Sequence, residues 1–420
     1  MIWNFLLRVL VPLARRFPGE FFAMRENWEA VWARGLEKVP REGRIWFHVS
    51  SVGELEQVRP VIDEMKSLGV GPVVLSYFSP SVPRLVKDWS FVSFAGVLPL
   101  DEPEAMNHLM DIVRPRVLVL NRYDIWPNHV AAARRSGAVV ALVNASTPPS
   151  GFWGWIGLWL RRGMFRSVQA WTYVDSAAAQ AWEPWTEPRA RGLVAGNPRV
   201  DRAVERAGNA AREARAGARV AEWWAGVGPV VVAGSTWPDD EILVLGAFAA
   251  LRRLRGSGVR MIVVPHEPVP ERLAALEKEA TRRGLTCARF TENAVGSDVM
   301  LVDARGFLAE IYAVGAVAYV GGGFGKQIHS IIEPVAHGRP VAFGPAFRRS
   351  PEAGTLLSLG AAITMPHAGR SSAERLGNWW HAQMSQGGDA RRSQEAIEVF
   401  LGVHRGAGRR VAEFLAECWR

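Results

Sequence analysis

Cysteine is nearly absent: the 420 residues hold two, Cys287 and Cys418, far apart and unpatterned. Two isolated thiols exclude a disulfide framework and a cysteine-based metal site, and they suit a reducing compartment. Lysine is scarce too. Only five of the fifty basic residues are lysine, so arginine supplies most of the positive charge, as planar forks matched to phosphate and carboxylate. No histidine pair or Asp-x-Asp pair stands at metal-ligand spacing, so no metal is expected. No zinc-finger spacing, basic-region heptad or RNP aromatic signature appears, which argues against a nucleic-acid partner.

What is present is a globular composition, 49% hydrophobic and 22% charged, in a chain long enough for two domains at roughly 150 residues each. The net charge of +9 fits an anionic substrate or membrane surface. Eighteen tryptophans are the compositional oddity, twelve of them before residue 186. Most belong in a core or between helices, although tryptophan also favours a membrane interface.

Residues 1–17, MIWNFLLRVLVPLARRF, are apolar apart from Asn4, Arg8, Arg15 and Arg16. The stretch is short of the roughly 20 apolar residues of a spanning helix. No small-residue cleavage site follows it, which argues against a signal peptide. It reads as an anchor lying in the membrane surface with Trp3, Phe5, Leu6 and Leu10 inserted, the alternative being an ordinary amphipathic helix that covers the domain. A second segment, GFWGWIGLWLRRGMFRSVQAW (151–171), sets three tryptophans beside Arg161, Arg162 and Arg166. A bilayer, an amphiphilic anionic substrate, or a helix whose arginines simply face water all satisfy it.

From residue 44, short apolar runs alternate with amphipathic stretches. RIWFHV (44–49), PVVLSYF (72–78), RVLVLN (116–121), AVVALVN (138–144), AWTYV (170–174) and GLVAG (192–196) read as strands. After an alanine- and charge-rich hinge near 203–226, the pattern restarts. PVVVAGS (229–235), VRMIVVP (259–265), VMLVD (299–303), AVAYVGG (316–322), RPVAFG (339–344) and AAITM (361–365) are the second set. Such alternation indicates α/β lobes with parallel sheets covered by helices on both faces. Ligands in these folds bind beyond the carboxyl ends of strands, so candidate residues lie just after each run.

The first run is followed by Ser50, Ser51, Gly53 and Glu54, opening a helix. A glutamate there is either a partner for the helix dipole or a general base. Arg122 and Asp124 follow the 116–121 run, and Asn197 and Arg199 follow 192–196. Three charged groups at equivalent strand ends mark a site on the first lobe. In the second lobe AYVGGGFGKQIHSIIEP runs from a strand through Gly321, Gly322, Gly323 and Lys326 into a helix expected near His329. Glycines let backbone amides approach a phosphate, and a helix start favours its charge. Glu333, one turn into that helix, can accept from both hydroxyls of a ribose. The spacing fits neither a Walker loop nor the dinucleotide fingerprint. Other strand ends add Ser235, Pro265, His266, Gly306, Phe307 and Leu308.

These residues together resemble the 3-deoxy-D-manno-octulosonic acid (Kdo) transferase family. The likeness runs through SVGE (51–54), DIWPN (124–128), GNPRVD (196–201), AGST (233–236), PHEP (265–268) and GGGFGKQIHSIIEP (321–334). It implies a GT-B fold of two Rossmann-like lobes with a cleft between them: an anchor helix over 1–20, an acceptor lobe over 21–205, a nucleotide-sugar lobe over 206–405, and a C-terminal helix over 406–420. It implies Glu54 as catalytic base, with Asp124 and Arg199 beside it. Nucleotide contacts fall on Pro265, His266, Gly306, Phe307 and Leu308, and on Ser330, Ile331, Ile332 and Glu333. Ser235, Gly322, Gly323, Lys326 and His329 complete the donor site. The implied reaction is inverting transfer of Kdo from CMP-Kdo to a lipid A precursor at the cytoplasmic face of the inner membrane, with no cofactor. Two departures stand out: Ser330 replaces the usual asparagine, and Asn144-Ala145-Ser146 replaces Asn-Ala-Arg. The alternatives are a GT-B enzyme using another nucleotide sugar, or a catalytically silent scaffold of the same fold.

Overall fold

The structure is a computed structural model that describes residues 23–122, 124–149, 151–210, 220, 222–223, 228–292 and 296–420. The expected anchor over 1–17 (with the 1–20 boundary), and part of the expected hinge, lie outside the described residues. Among the described residues no helix is long and apolar enough to cross a membrane. The chain divides into two compact units. One holds the described residues up to Arg202 together with His404–Arg420; the other is Ala203–Val403.

The first unit is built on seven strands: β1 (Ile45–Val49), β2 (Val73–Tyr77), β3 (Phe94–Val97), β4 (Val117–Asn121), β5 (Val139–Ala145), β6 (Ala170–Tyr173) and β7 (Arg191–Val194). They form one all-parallel sheet in the order β3-β2-β1-β4-β5-β6-β7. Strand periodicity sorts the side chains between two cores. Ile45, Phe47, Val49, Val117, Val119, Ala141 and Val143 face the helix Val52–Ser67 and the C-terminal helix Ala407–Trp419. Trp46, Leu118, Leu120, Val140, Leu142 and Trp171 face the opposite side, with the helices Trp28–Leu36, Pro103–Val113 and Pro127–Arg135. Burial on both faces explains why the central strands read as continuous apolar runs. The C-terminal helix is tied down by Asp201, whose carboxylate accepts from the amides of Gly406 at 2.6 Å and Gly408 at 2.7 Å.

Most first-unit tryptophans are structural. Trp32, Trp46, Trp171 and Trp182 are fully buried, and each indole N–H has a partner: Val97 O, Ser76 Oγ, Val168 O and Ser146 O.

The second unit repeats the plan with β8 (Val230–Thr236), β9 (Arg260–Pro265), β10 (Cys287–Arg289), β11 (Val299–Leu301), β12 (Val317–Val320), β13 (Val341–Phe343) and β14 (Ala362–Thr364). Its parallel order is β10-β11-β9-β8-β12-β13-β14. In each sheet the chain works outward in one direction and then reverses. The reversal opens a crevice between β1 and β4 in the first unit and between β8 and β12 in the second, where α/β folds receive ligands.

Candidate active site

Both crevices collect the sequence candidates, and the backbone itself marks them. Among the described residues four non-glycine residues have positive φ, and three lie at strand ends: Arg122 (60°) after β4, Asn144 (58°) at the end of β5, and Ser235 (52°) at the end of β8. Such conformations are costly and concentrate where function holds them in place.

In the first unit Ser51 caps the Val52–Ser67 helix, its hydroxyl accepting from the Glu54 amide at 3.4 Å. Glu54 Oε2 turns back to accept from the Ser50 amide at 2.7 Å. That is capping-box logic moved one residue outward, and it fixes the carboxylate at the mouth of β1. The Ser50 hydroxyl donates in a short hydrogen bond to Asp124 Oδ2, so one serine orients both carboxylates. Burial pushes the Glu54 carboxyl up to about 7; the Asp124 charge adds to the rise, while the Ser50 amide and Arg122 oppose it. A carboxyl near 7 is matched to taking a proton at neutral pH. The dipole-partner reading and the base reading therefore describe one geometry: the cap holds a carboxylate that its surroundings make basic.

Beneath the carboxylates lies a polar layer that strand pattern concealed. His48, fully buried on β1, places Nε2 3.7 Å from Asp124 Oδ2 and 3.4 Å from Ser50 Oγ, with Nδ1 2.9 Å from Ser76 Oγ. Burial pushes this imidazole below its ordinary value, with Asp124 pulling the other way. His129 packs against it, ring centroids 5.7 Å apart, and burial lowers it as well. Beside them Gln57, Asn121 and Asn144 form a buried amide chain through bonds of 2.9 Å and 2.8 Å. The Arg122 guanidinium reaches Ser146 Oγ at 3.5 Å. Ser146, where the resemblance leads one to expect arginine, thus meets an arginine supplied by the adjacent strand. Asp101 caps the Pro127–Arg135 helix by accepting from the amides of Asn128 at 3.0 Å and His129 at 2.8 Å, which holds the DIWPN segment in place.

Glu54 and Asp124 are thus brought together with Arg122. Arg199 is not joined to them: it opens the helix Pro198–Ala210, half-buried, its amide bonded to Asn197 Oδ1 at 3.1 Å.

In the second unit Gly321, Gly322 and Gly323 are buried against the end of β8 and the β13 edge. A Cβ on Gly321 would stand 2.3 Å from Ser235 O, and one on Gly323 would stand 2.5 Å from Gly344 Cα. Asp240, in the first turn of the helix Pro238–Arg255, clamps the loop by accepting from the Gly322 amide at 2.8 Å, the Tyr319 hydroxyl at 2.7 Å and the Trp237 amide at 3.0 Å. Lys326 is exposed at the turn.

The helix expected near His329 begins at Ile332 and ends at Ala336. Residues 327–331 are held out of it because the Ile328 amide bonds Ala346 O and the His329 amide bonds Gly321 O, both at 3.0 Å. Glu333 accordingly sits in the first turn, half-buried, where its charge raises the buried Tyr312 hydroxyl further after burial itself. Ile331 and Ile332 are buried in the core. Pro265 is buried and ends β9; His266 follows, exposed. Trp237, His266 and His329 stack in series, with centroids 4.9 Å and 4.4 Å apart, and the indole N–H donates to His329 Nε2 at 3.2 Å. Trp237 was invisible to motif reading because it lies just past AGST. Gly306, with φ of 93°, precedes Phe307, which packs on Phe290, and Leu308, which lies against Gly234. Among the described residues no group of three His, Cys, Asp or Glu side chains is placed to hold a metal ion.

Residues 24–202 match the family described as 3-Deoxy-D-manno-octulosonic-acid transferase (kdotransferase). A 3-deoxy-D-manno-octulosonic acid transferase of Bordetella pertussis is 27% identical over 99% of this chain and 98% of its own length. One of Aquifex aeolicus is 27% identical over 72% of this chain and 76% of its own. Among solved structures, a UDP-GlcNAc 2-epimerase from Neisseria meningitidis superposes with a TM-score of 0.62 at 12% identity, covering 89% of this chain and all of that one. A glycosyltransferase from Rickettsia africae gives 0.60 at 9%, covering 91% and all of that chain. The structural likenesses speak for the fold, two parallel sheets of the GT-B type. The chain is thus similar to 3-deoxy-D-manno-octulosonic acid transferases, over residues 24–202 by the family match and over nearly its whole length by the Bordetella pertussis protein.

Proposed function

We propose that the protein transfers Kdo from CMP-Kdo to a lipid A precursor, with inversion at the anomeric carbon and Glu54 as the general base. The observation that carries this reading is the pair of carboxylates, Glu54 and Asp124, held together by Ser50 at the β1–β4 crevice, where burial raises Glu54. An acceptor hydroxyl gives its proton to Glu54, and its oxygen bonds the anomeric carbon. The bond from that carbon to the phosphate oxygen breaks on the opposite face, and CMP departs with the electron pair. Arg122 and Asp124 orient the acceptor side. On the donor side Lys326 meets the phosphate charge, Glu333 takes the ribose hydroxyls, and the Trp237–His266–His329 stack borders the nucleotide. No metal or cofactor is part of the scheme. The basic protein suits two anionic substrates, and the apolar, arginine-bearing 1–17 segment holds it at the cytoplasmic face of the inner membrane.

Mass spectrometry of a lipid A precursor incubated with purified protein and CMP-Kdo tests the reading directly. A product heavier by one or more Kdo units, formed with release of CMP, is expected. CMP release without a heavier lipid, or no turnover at all, overturns it.

A further inference from the structure

The helix Gly151–Leu160 carries the densest patch of exposed aromatic surface among the described residues. Phe152 is 70% exposed, Trp155 54%, Trp159 56% and Leu160 62%, whereas Leu158 faces the core at 3%. Positions 152, 155 and 159 share one helical face. The ten residues contain no charge, yet Arg161, Arg162 and Arg166 follow at once. The surrounding sequence is one-sided: between Asp124 and Asp175 there is no acidic residue, while Arg134, Arg135, Arg161, Arg162 and Arg166 are all present.

We infer that this helix is a membrane-docking element of the first unit, lying flat in an anionic lipid surface. Exposed tryptophans at one face, with guanidinium groups at the end, match the boundary between acyl chains and phosphate headgroups. Spanning is excluded by length, since ten residues rise about 15 Å against a hydrocarbon core of about 30 Å. Charge complementarity selects an anionic bilayer over another protein surface, because no acidic side chain of the segment offsets its arginines. The placement serves the reaction. The helix follows the carboxyl end of β5 only a few residues after Ser146, the partner of Arg122, so the chain enters it from the strand-end side of the sheet that carries the acceptor crevice. The contact is separate from the 1–17 segment, and it rests on the proposed function only in taking the acceptor to be lipid.

A reporter on the helix tests this in the full chain. Phe152 is 70% exposed on the docking face, so Phe152→Cys places an environment-sensitive dye there once Cys287 and Cys418 are serine. Mixed phosphatidylglycerol and phosphatidylethanolamine vesicles should blue-shift the dye, and a lipid-borne quencher should suppress it. Neutral phosphatidylcholine vesicles should do neither. Trp155→Ser with Trp159→Ser, two exposed positions whose loss spares the core, should weaken that response about tenfold or more. A dye that stays solvated while the protein floats with vesicles overturns the inference, as does a dye that becomes shielded by rising protein concentration alone. Turnover on detergent-dispersed acceptor is read in parallel. Normal turnover with a solvated dye removes the docking helix and spares the transferase reading, and docking without turnover does the reverse.

Discussion

The Ser50 amide donates to Glu54 Oε2 at 2.7 Å, while the Ser50 side chain reaches across to Asp124. One residue therefore couples two carboxylates, and the charge of the second helps to raise the pKa of the first.

Glu54→Gln keeps the size of the side chain and most of its hydrogen-bonding reach but cannot take a proton. Transfer should fall about 10²–10⁴-fold, with CMP affinity by calorimetry within a few-fold of the parent. Near-normal turnover would remove Glu54 from the mechanism and leave Asp124 as the candidate base.

The same residue sets a pH dependence. The folded carboxyl, near 7, lies above its ordinary value of 4.5. The folded state therefore holds this proton more tightly than the unfolded chain does. Its stabilising contribution is complete below about 4.5 and is lost as pH rises through about 7. Chemical denaturation from pH 4.5 to 8 should show Glu54→Gln with a flatter profile than the parent, gaining relative stability toward the alkaline end. Parallel profiles would mean that Glu54 is not the perturbed group.

Asp124→Asn removes a charge that raises Glu54 but leaves its burial. The acid limb of the pH–rate profile, expected near 7 in the parent, should move to lower pH and remain above 4.5. An unmoved limb would separate the titrating group from this pair.

Glu333→Ala should weaken CMP binding by roughly ten- to a hundredfold, the consequence of losing a charge-assisted acceptor worth about 1.5–3 kcal/mol. Trp237→Phe keeps the stacking body and deletes the N–H that donates to His329. Its effect on CMP affinity should be smaller, and the His329 ring-nitrogen signals in an NMR spectrum should change. Equal losses in both variants would argue that stacking, not the ribose contact, anchors the nucleotide.

Much of this was legible in the residues. Strands buried on both faces announce themselves as apolar runs, and SVGE and the glycine loop carried their chemistry openly. Two strands did not announce themselves. β3 is interrupted by Gly96, with Phe94 and Ala95 half-buried, and β10 (Cys-Ala-Arg) is half-buried at a sheet edge, so neither needs apolar continuity. The helix expected near His329 was misplaced because Ile328, Ile331, Ile332 and Val335 carry helical spacing. Ile332 and Val335 are helical, but Ile328 and Ile331 are buried from a non-helical segment bonded to Gly321 and Ala346. His48 and Ser76 look like strand filler in sequence. Only the order β2-β1-β4 puts them under Asp124, and strand order is a long-range property that no local pattern encodes.

The glycine loop gives the sharpest structural test. Gly323 and Gly344 bring two backbones together, and a Cβ on Gly323 would stand 2.5 Å from Gly344 Cα and 2.6 Å from Gly344 N. Backbone cannot swing aside as a side-chain tip can, so Gly323→Ala must push the loop off the β13 edge. Overpacking of this kind costs about 1–3 kcal/mol. The displacement would also disturb the neighbouring Gly322 amide that Asp240 holds at 2.8 Å. Gly323→Ala should therefore lower Tm and weaken CMP binding together. Gly325→Ala is the control, since its nearest neighbour, Gly322 O, lies at an ordinary 3.6 Å. That variant should keep its Tm, and it should lose CMP affinity only if the turn itself touches the phosphate. If Gly323→Ala melted like the parent and bound CMP normally, the close backbone approach would have no part in shaping the donor site.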